Sequence, residues 1–142
     1  WCLVTFELDK RLQSDSFWVC KLSLSQVRLI NDRQFIWCVL IPEINNVTEI
    51  IALNEAQQTE LWKESGMLSR ALKSGFSPDK LNVAAIGNIV SQLHVHHICR
   101  FKIDIAWPSP VWGRQPMIGY QQNKQVALSE KICELLKQQQ VI

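Results

Sequence analysis

This sequence lacks several features that would assign it quickly to a class of protein. It has no apolar run long enough to span a membrane. Its net charge of +2 is too small to indicate a nucleic-acid groove or a membrane surface. The apolar start, residues 1–6, has no basic flank and no small-residue cleavage site, so we do not interpret it as a signal peptide. We therefore expect neither nucleic acid nor a membrane as a partner.

The cysteines show no pairing pattern. The chain has five cysteines, an odd number, and no CxxC spacing occurs among them. A disulfide framework or a structural zinc knuckle is therefore not expected. Free thiols are typical of a reducing compartment, which predicts a cytoplasmic protein.

The size of the chain suits one globular domain. It has 142 residues, of which 47% are hydrophobic, and this is enough for a sizeable core. No internal repeat, low-complexity stretch or long linker divides it. We predict a single domain over residues 1–142.

Local patterns predict an α+β fold. Strands are expected at residues 18–24, 26–30, 35–41, 81–86 and 92–101, with a turn at residues 31–34. A short helix is expected at residues 8–14 and a long one at residues 54–74, which begins at a capping box of Asn54 and Gln57 and ends at Gly75. Apolar residues at helical spacing predict a C-terminal helix around Leu128–Leu136. The sum is about five mostly antiparallel strands, crossed by one long helix.

The three histidines are concentrated in one predicted strand. They lie within four residues, in the run Gln92-Leu93-His94-Val95-His96-His97-Ile98-Cys99-Arg100. Strand alternation puts Gln92, His94, His96 and Arg100 on one face, roughly 7 Å apart at each i, i+2 step. It turns His97 away from this face, to pack in the core or at an interface. An imidazole acts near neutral pH as nucleophile, base or metal ligand, so this face is a candidate site.

Three interpretations of this face stay open on the residues alone. In the first, a neutral imidazole attacks phosphorus while neighbouring donors steady the phosphate oxygens. In the second, His94 and His96 chelate zinc, although the motif holds no carboxylate and catalytic zinc usually has three protein ligands. In the third, the two imidazoles only satisfy polar partners on a half-buried sheet.

The residues around the histidines resemble the signature of the histidine triad (HIT) superfamily. From Asn82 to Arg100 the chain has an Asn-bearing strand, a Gly, an amide residue, a Val, three alternating triad positions and a trailing Arg. The upstream order of hairpin, Asn31 turn, apolar strand and long helix is similar too. The resemblance implies a HIT-like fold.

The resemblance also implies a nucleotide hydrolase or transferase, generally a homodimer, that needs no metal or other cofactor for its chemical step. His94, at the middle triad position, would attack the α-phosphate and form a nucleotidyl-histidine. His96 and Gln92 would hold the phosphate beside it. The further nucleotide or phosphate contacts that the resemblance suggests are Asn88, Asn31 and Asn82. Arg100 lies further along the same face, where it would be either a phosphate contact or a solvated strand end.

Gln92 departs from the family because it occupies the position of the first triad histidine. Glutamine cannot titrate, and the loss of a proton-transfer group would cost about 10² to 10⁴-fold in rate. An anhydride leaving group needs little protonation, so we expect a dinucleoside polyphosphate-like substrate rather than a phosphoramidate. The alternatives are a non-catalytic nucleotide-binding protein and a zinc-dependent hydrolase that uses His94 and His96.

Two tryptophans flank a Pro-rich loop after the histidine strand. Trp107 and Trp112 would either stack on a nucleobase, close a dimer, or simply anchor the loop. Lys102 continues the triad face, where we expect a solvated side chain.

Overall fold

The computed structural model describes residues 5–114 and 116–140, and within them it has a five-stranded antiparallel sheet and three α-helices. The strands are β1 (Ser16–Lys21), β2 (Ser25–Ile30), β3 (Ile36–Pro42), β4 (Lys80–Ala84) and β5 (Val95–Arg100). The helices are α1 (Lys10–Ser14), α2 (Glu55–Phe76) and α3 (Gln122–Gln140). The strand order is β1-β2-β3-β5-β4, with every neighbouring pair antiparallel. The predicted α+β class is confirmed; Cys2 and most of the apolar start lie outside the described residues.

Strand alternation gives the sheet two apolar faces. The helix face is covered by α2 and α3, and its core includes Val27, Leu29, Cys38, Leu40, Leu61, Leu68, Leu72, Ile132 and Leu136. The opposite face, called here the α1 face, packs against α1 and the segment after β5, with Leu12, Ile30, Trp37, Val39, Ile41, Ile98, Ala106 and Val111 in its core. Because other elements cover both faces of the sheet, every residue of β2 is buried, and so is every residue of β3 except Ile36.

The central position of β5 fixes which face each histidine reaches. β5 lies between β3 and β4, where His96 pairs with Val39 and Ala84. His96 therefore belongs to the α1 face, and its neighbour His97 belongs to the helix face. His97 is fully buried, donates from Nδ1 to the Val95 carbonyl at 3.0 Å and accepts from the Ser65 hydroxyl at 2.7 Å. The prediction that His97 packs in the core is confirmed.

Helix α2 begins as predicted but ends later. Asn54 and Gln57 form a reciprocal capping box. The predicted end at Gly75 is wrong, because the helix continues to Phe76 and Ser77 closes it in a left-handed conformation, with φ 49°. Gly75 instead lies against α3, where a Cβ atom would collide with the Leu135 side chain. This glycine thus serves the close approach of two helices rather than a chain reversal.

The histidine strand begins later than predicted. Residues 85–94 form an irregular segment, and the ladder of β5 starts only at Val95. The Leu93 amide donates to the Val47 carbonyl at 2.9 Å, which takes this stretch toward the loop after β3 instead of along the sheet. Gln92 and His94 therefore precede the strand, and the expectation of a shared strand face does not hold for them.

The described residues give no support for a membrane-spanning segment. No helix within residues 5–114 and 116–140 is long and apolar enough to cross a bilayer.

Candidate active site

A cavity of about 370 Å³ opens on the α1 face of the sheet, with His94 and His96 in its wall. Most of the wall is apolar, formed by Leu12, Ile30, Trp37, Ile86, Ile89, Val90, Trp112 and Met117. The polar lining consists of Arg11, Asp15, Asn88 and the two histidines, with the backbone of Gly113 at the edge. An apolar cleft with a few converging polar groups is typical of small-molecule sites.

His94 has one ring nitrogen engaged and one free. Its Nδ1 lies 2.6 Å from the backbone carbonyl of Gln92, which can only accept, so Nδ1 carries the proton. Within the described residues, Nε2 has no hydrogen-bond partner. In its neutral form the ring therefore has its unprotonated nitrogen, Nε2, available in the cavity wall, which is the form that a nucleophile requires.

His96 has the opposite arrangement. The indole Nε1–H of Trp37 donates to His96 Nδ1 at 2.9 Å, and an indole nitrogen is a donor only. The ring proton of His96 must therefore be on Nε2, which lies 3.3 Å from the Ile86 carbonyl. Burial, reinforced by the proximity of His94, lowers the pKa of His96 to about 4, so the ring is neutral at physiological pH. His96 is thus an uncharged N–H donor.

The His94 and His96 rings are in contact. Their centroids are 4.8 Å apart at an interplanar angle of 69°, and both side chains are only 6% exposed. One ring offers a lone pair and the other an N–H group. This pairing suits attack on a phosphate, in which one nitrogen bonds phosphorus while a neighbouring donor stabilises the charge that develops on oxygen.

Aromatic side chains enclose His96. The Trp112 ring lies 5.2 Å from it at 77°, and the Trp37 and Trp112 rings meet edge to face at 6.1 Å. Of the two tryptophans that flank the Pro-rich loop, Trp112 lines the cavity, whereas Trp107 packs against the Arg100 guanidinium at 5.7 Å. Trp112 therefore lies where it can contact a ligand, and Trp107 anchors the loop.

Comparison of the sequence with known protein families gives a match. Residues 11–103, more than half of the chain, match the HIT domain. The chain belongs to the histidine triad family. No curated protein matches it.

Solved structures of HIT proteins match almost the whole chain. A histidine triad protein from Marinobacter aquaeolei is 41% identical with a TM-score of 0.91, covering 95% of this chain and 98% of its own. One from Sinorhizobium meliloti is 37% identical with a TM-score of 0.89, covering 92% and 96%. One from Bradyrhizobium japonicum is 38% identical with a TM-score of 0.88, covering 96% and 98%.

Gln92 does not reach the cavity of this HIT protein. Its side-chain oxygen accepts from the Asp9 amide at 2.8 Å, and its side-chain nitrogen donates to the Glu7 carbonyl at 2.9 Å. The side chain thus holds the segment that leads into α1 and lines a separate groove with Glu7 and Asp9. The sequence pattern missed this because the strand that would have aligned Gln92 with His94 starts only after both.

Arg100 and Asn82 also lie outside the cavity wall. Arg100 is 2% exposed, and its Nε and Nη2 donate to the two carboxylate oxygens of Asp104 at 2.9 and 3.0 Å. Its third guanidinium nitrogen, Nη1, donates to Asn82 Oδ1 at 2.9 Å. Burial alone would raise the pKa of Asp104, but the Arg100 guanidinium and nearby backbone amides together lower it. These groups form a buried structural network. Lys102, in contrast, is exposed as predicted.

Asn31 affects the cavity only indirectly. Its side-chain oxygen accepts from the Tyr120 amide at 2.8 Å, and a Cβ at Gly119 would approach the Asn31 amide nitrogen to 3.2 Å. Asn31 does not line the cavity but holds the segment that carries Met117, which does. Asn88 is the one amide among the sequence candidates that reaches the wall.

Two contributors to the site were missed by sequence reasoning. Trp37 could have been predicted from the sequence, because it is the one aromatic residue in the central strand β3 and alternation places it on the same face as Val39 and Ile41. Arg11 could not, since nothing local indicates that a five-residue helix folds over the histidines.

The zinc interpretation finds no ligand set in the described residues. Across residues 5–114 and 116–140, no group of three or more His, Cys, Asp or Glu side chains is placed to hold a metal ion. Both Nδ1 atoms of His94 and His96 are engaged with protein groups and His96 Nε2 contacts the Ile86 carbonyl, so the pair offers only His94 Nε2 without a protein partner among the described residues. A catalytic zinc site usually has three protein ligands.

Replacing Arg100 should cost stability. Arg100→Met leaves the Asp104 carboxylate buried without its cation, and we expect the free energy of unfolding to fall by about 3–5 kcal/mol in urea denaturation. Lys102→Met, at an exposed position on the same stretch, is the matched control and should change it by less than about 0.5 kcal/mol. Unchanged stability together with weakened nucleotide binding would instead make Arg100 a ligand contact.

Acid should destabilise the protein through its buried histidines. Burial lowers the pKa of His96 and of His97 to about 4, from 6.5. As pH falls below 6.5 the unfolded chain takes up protons that the folded chain does not, so this contribution is complete above pH 6.5 and is lost progressively toward pH 4. Glu64, whose pKa burial raises, acts in the opposite sense, so ring titration by NMR is the primary measurement. Midpoints near 6.5 for these rings would contradict the account.

Proposed function

We propose that this HIT protein is a nucleotide phosphohydrolase in which Nε2 of His94 attacks the α-phosphate of its substrate. The observation that carries the proposal is the 2.6 Å hydrogen bond from His94 Nδ1 to the Gln92 carbonyl. It places the ring proton on the nitrogen turned to the backbone and leaves the other nitrogen unprotonated in a cavity wall. Membership of the HIT family supports nucleotides as the ligand class.

The proposed reaction has two steps. In the first, the bond from His94 Nε2 to phosphorus forms while the bond from phosphorus to the leaving phosphate oxygen breaks, and that oxygen departs with the electron pair. In the second, water attacks phosphorus and gives up a proton to solvent, the P–N bond breaks with its electron pair returning to Nε2, and a nucleoside monophosphate leaves. The Nε2–H of His96 donates to a non-bridging oxygen, where charge develops in both steps, and the Asn88 amide assists it.

The cavity wall also suits the rest of a nucleotide. Leu12, Ile30 and Met117 provide an apolar surface for a base, and Trp112 adds an aromatic ring. Arg11 brings a guanidinium to the same wall, and no salt bridge pairs it with a carboxylate in the described residues. We propose that Arg11 attracts the phosphate chain.

The proposed substrate is a dinucleoside polyphosphate or a similar anhydride. The first triad position is Gln92, a variant that cannot supply a proton, and its side chain is held by Glu7 and Asp9. His96, with its pKa lowered to about 4, retains only its neutral N–H. A leaving group that is stable as an anion fits this site, whereas an amine that must be protonated does not.

A covalent intermediate should form at His94. Wild-type protein mixed with diadenosine triphosphate and quenched within one turnover should gain the mass of one adenylyl group, which peptide mapping should place on His94. His94→Asn should gain none. In His96→Asn the adduct should still map to His94 but form about 10² to 10³-fold more slowly, because a phosphate donor is lost. Product formation by His94→Asn at the wild-type rate would refute the mechanism.

The leaving group should control the rate. In single-turnover experiments, the wild-type protein should cleave diadenosine triphosphate faster than adenosine 5′-phosphoramidate, since only the second leaving group needs a proton. Gln92→Ala serves as the control: because Gln92 does not line the cavity, it should leave the ratio of the two rates unchanged. A faster reaction with the phosphoramidate would overturn the proposed substrate class.

A non-catalytic nucleotide-binding protein is the second candidate. The position of Gln92 favours it, because the cavity then lacks the titratable group of the first triad position. Such a protein would show a higher melting temperature with a nucleotide, but neither adduct nor product. Adduct formation at His94 therefore separates the two candidates.

We further propose that the chain forms one domain over residues 1–142, that two copies of it associate as a homodimer, and that the protein resides in the cytoplasm. The free edge of β4, where Val83 is 42% exposed, supports self-association, and the four cysteines that the structure describes carry free thiols.

A further inference from the structure

Trp37 donates a buried hydrogen bond to His96, one of the two histidines in the cavity wall. It lies in the middle of β3, is 4% exposed, and directs its indole N–H at Nδ1 of His96, 2.9 Å away. The neighbours of Trp37 in the strand are aliphatic or thiol side chains, so its N–H is an unusual polar group in this core. A buried polar group of this kind is stable only when it is paired, and its partner here is a site residue.

The direction of this hydrogen bond has a chemical consequence. A free neutral imidazole can carry its proton on either nitrogen, and the partner of one nitrogen decides the state of the other. Because the Trp37 indole can only donate, it is compatible with His96 only when Nδ1 is unprotonated. The alternative tautomer would set two N–H groups against each other at 2.9 Å, and would leave a lone pair at Nε2 to repel phosphate oxygens.

We propose that Trp37 is a positioning residue that fixes His96 as an Nε2–H donor and holds its ring orientation. The catalytic half of this inference rests on the proposed function. The structural half, which concerns the tautomer of His96, does not depend on any substrate.

The surrounding rings keep Trp37 in place. The Phe35 ring meets it edge to face at 6.4 Å, and the Trp112 ring does so at 6.1 Å. The Trp37 and His96 rings themselves are 5.7 Å apart at 51°. With neighbours on more than one side, the indole has little freedom to turn its N–H away from His96.

Trp112 offers a natural comparison within the same cluster. It also contacts the His96 ring, at 5.2 Å, but its indole nitrogen is buried without a hydrogen-bond partner among the described residues. Trp112 therefore packs on His96 without selecting its tautomer. Removing the N–H from each tryptophan in turn distinguishes hydrogen bonding from aromatic packing.

NMR of ¹⁵N-labelled histidine rings tests the tautomer directly. In the wild type at pH 7, long-range ¹H–¹⁵N spectra should show His96 protonated at Nε2 only. Trp37→Phe keeps an aromatic ring but removes the donor, and should produce a mixture of tautomers, because the Ile86 carbonyl 3.3 Å from Nε2 still favours the Nε2–H form. Trp112→Phe should leave the tautomer of His96 as in the wild type.

Two results would overturn the inference. One is a wild-type His96 protonated at Nδ1, which decides the matter even if Trp37→Phe does not fold. The other is a folded Trp37→Phe in which the tautomer is unchanged.

Kinetics with diadenosine triphosphate tests the catalytic half. Trp37→Phe should lower kcat by about 10 to 100-fold with KM little changed, because the effect of Trp37 is exerted through another side chain. An unchanged kcat in a variant whose tautomer has shifted would refute this half. If the wild type shows the expected tautomer but neither adduct nor hydrolysis, the proposed hydrolase activity fails while the control of His96 by Trp37 stands.

Discussion

The hydrogen bond between His94 and the backbone carbonyl of Gln92 is the interaction on which the site depends. It is short, 2.6 Å, and links residues only two positions apart in the irregular segment before β5. A backbone carbonyl cannot donate, so in its neutral form the ring has its unprotonated nitrogen on the other side. If this contact were absent, the ring could rotate or change tautomer, and the cavity would have no defined nucleophile.

The sheet supplies the complement to that contact. His96 and His97 are adjacent in β5, yet alternation sends them to opposite faces and gives them different roles. His97 is satisfied by Ser65 and the Val95 carbonyl within the helix-face core, whereas His96 faces the cavity with Trp37 behind it. Burial keeps both rings neutral by lowering each pKa to about 4. Because His96 is neutral, it donates a hydrogen bond without placing a positive charge beside the proposed nucleophile, His94.

The sequence predicts the fold well and the site in part. Period-two alternation and the capping box of α2 are local properties, and they place the sheet, the long helix and the burial of His97 correctly. Gln92 was misplaced because its position follows from non-local contacts with Glu7 and Asp9, which no local pattern contains. The sequence leaves Arg100 either near phosphate or solvated at the strand end, yet Asp104, four residues further along the chain, pairs with its guanidinium. The cavity depends on parts distant in sequence, so its full lining follows only from the fold.

A high-resolution crystal structure with adenosine monophosphate would test the central claim most directly. The account predicts phosphorus within about 3–3.5 Å of Nε2 of His94, the distance of a near-attack arrangement. It also predicts a phosphate oxygen hydrogen-bonded to Nε2 of His96, and His94 Nδ1 still bonded to the Gln92 carbonyl. A nucleotide bound with its phosphate away from His94, or a His94 whose Nε2 is taken by a protein group, would contradict the account.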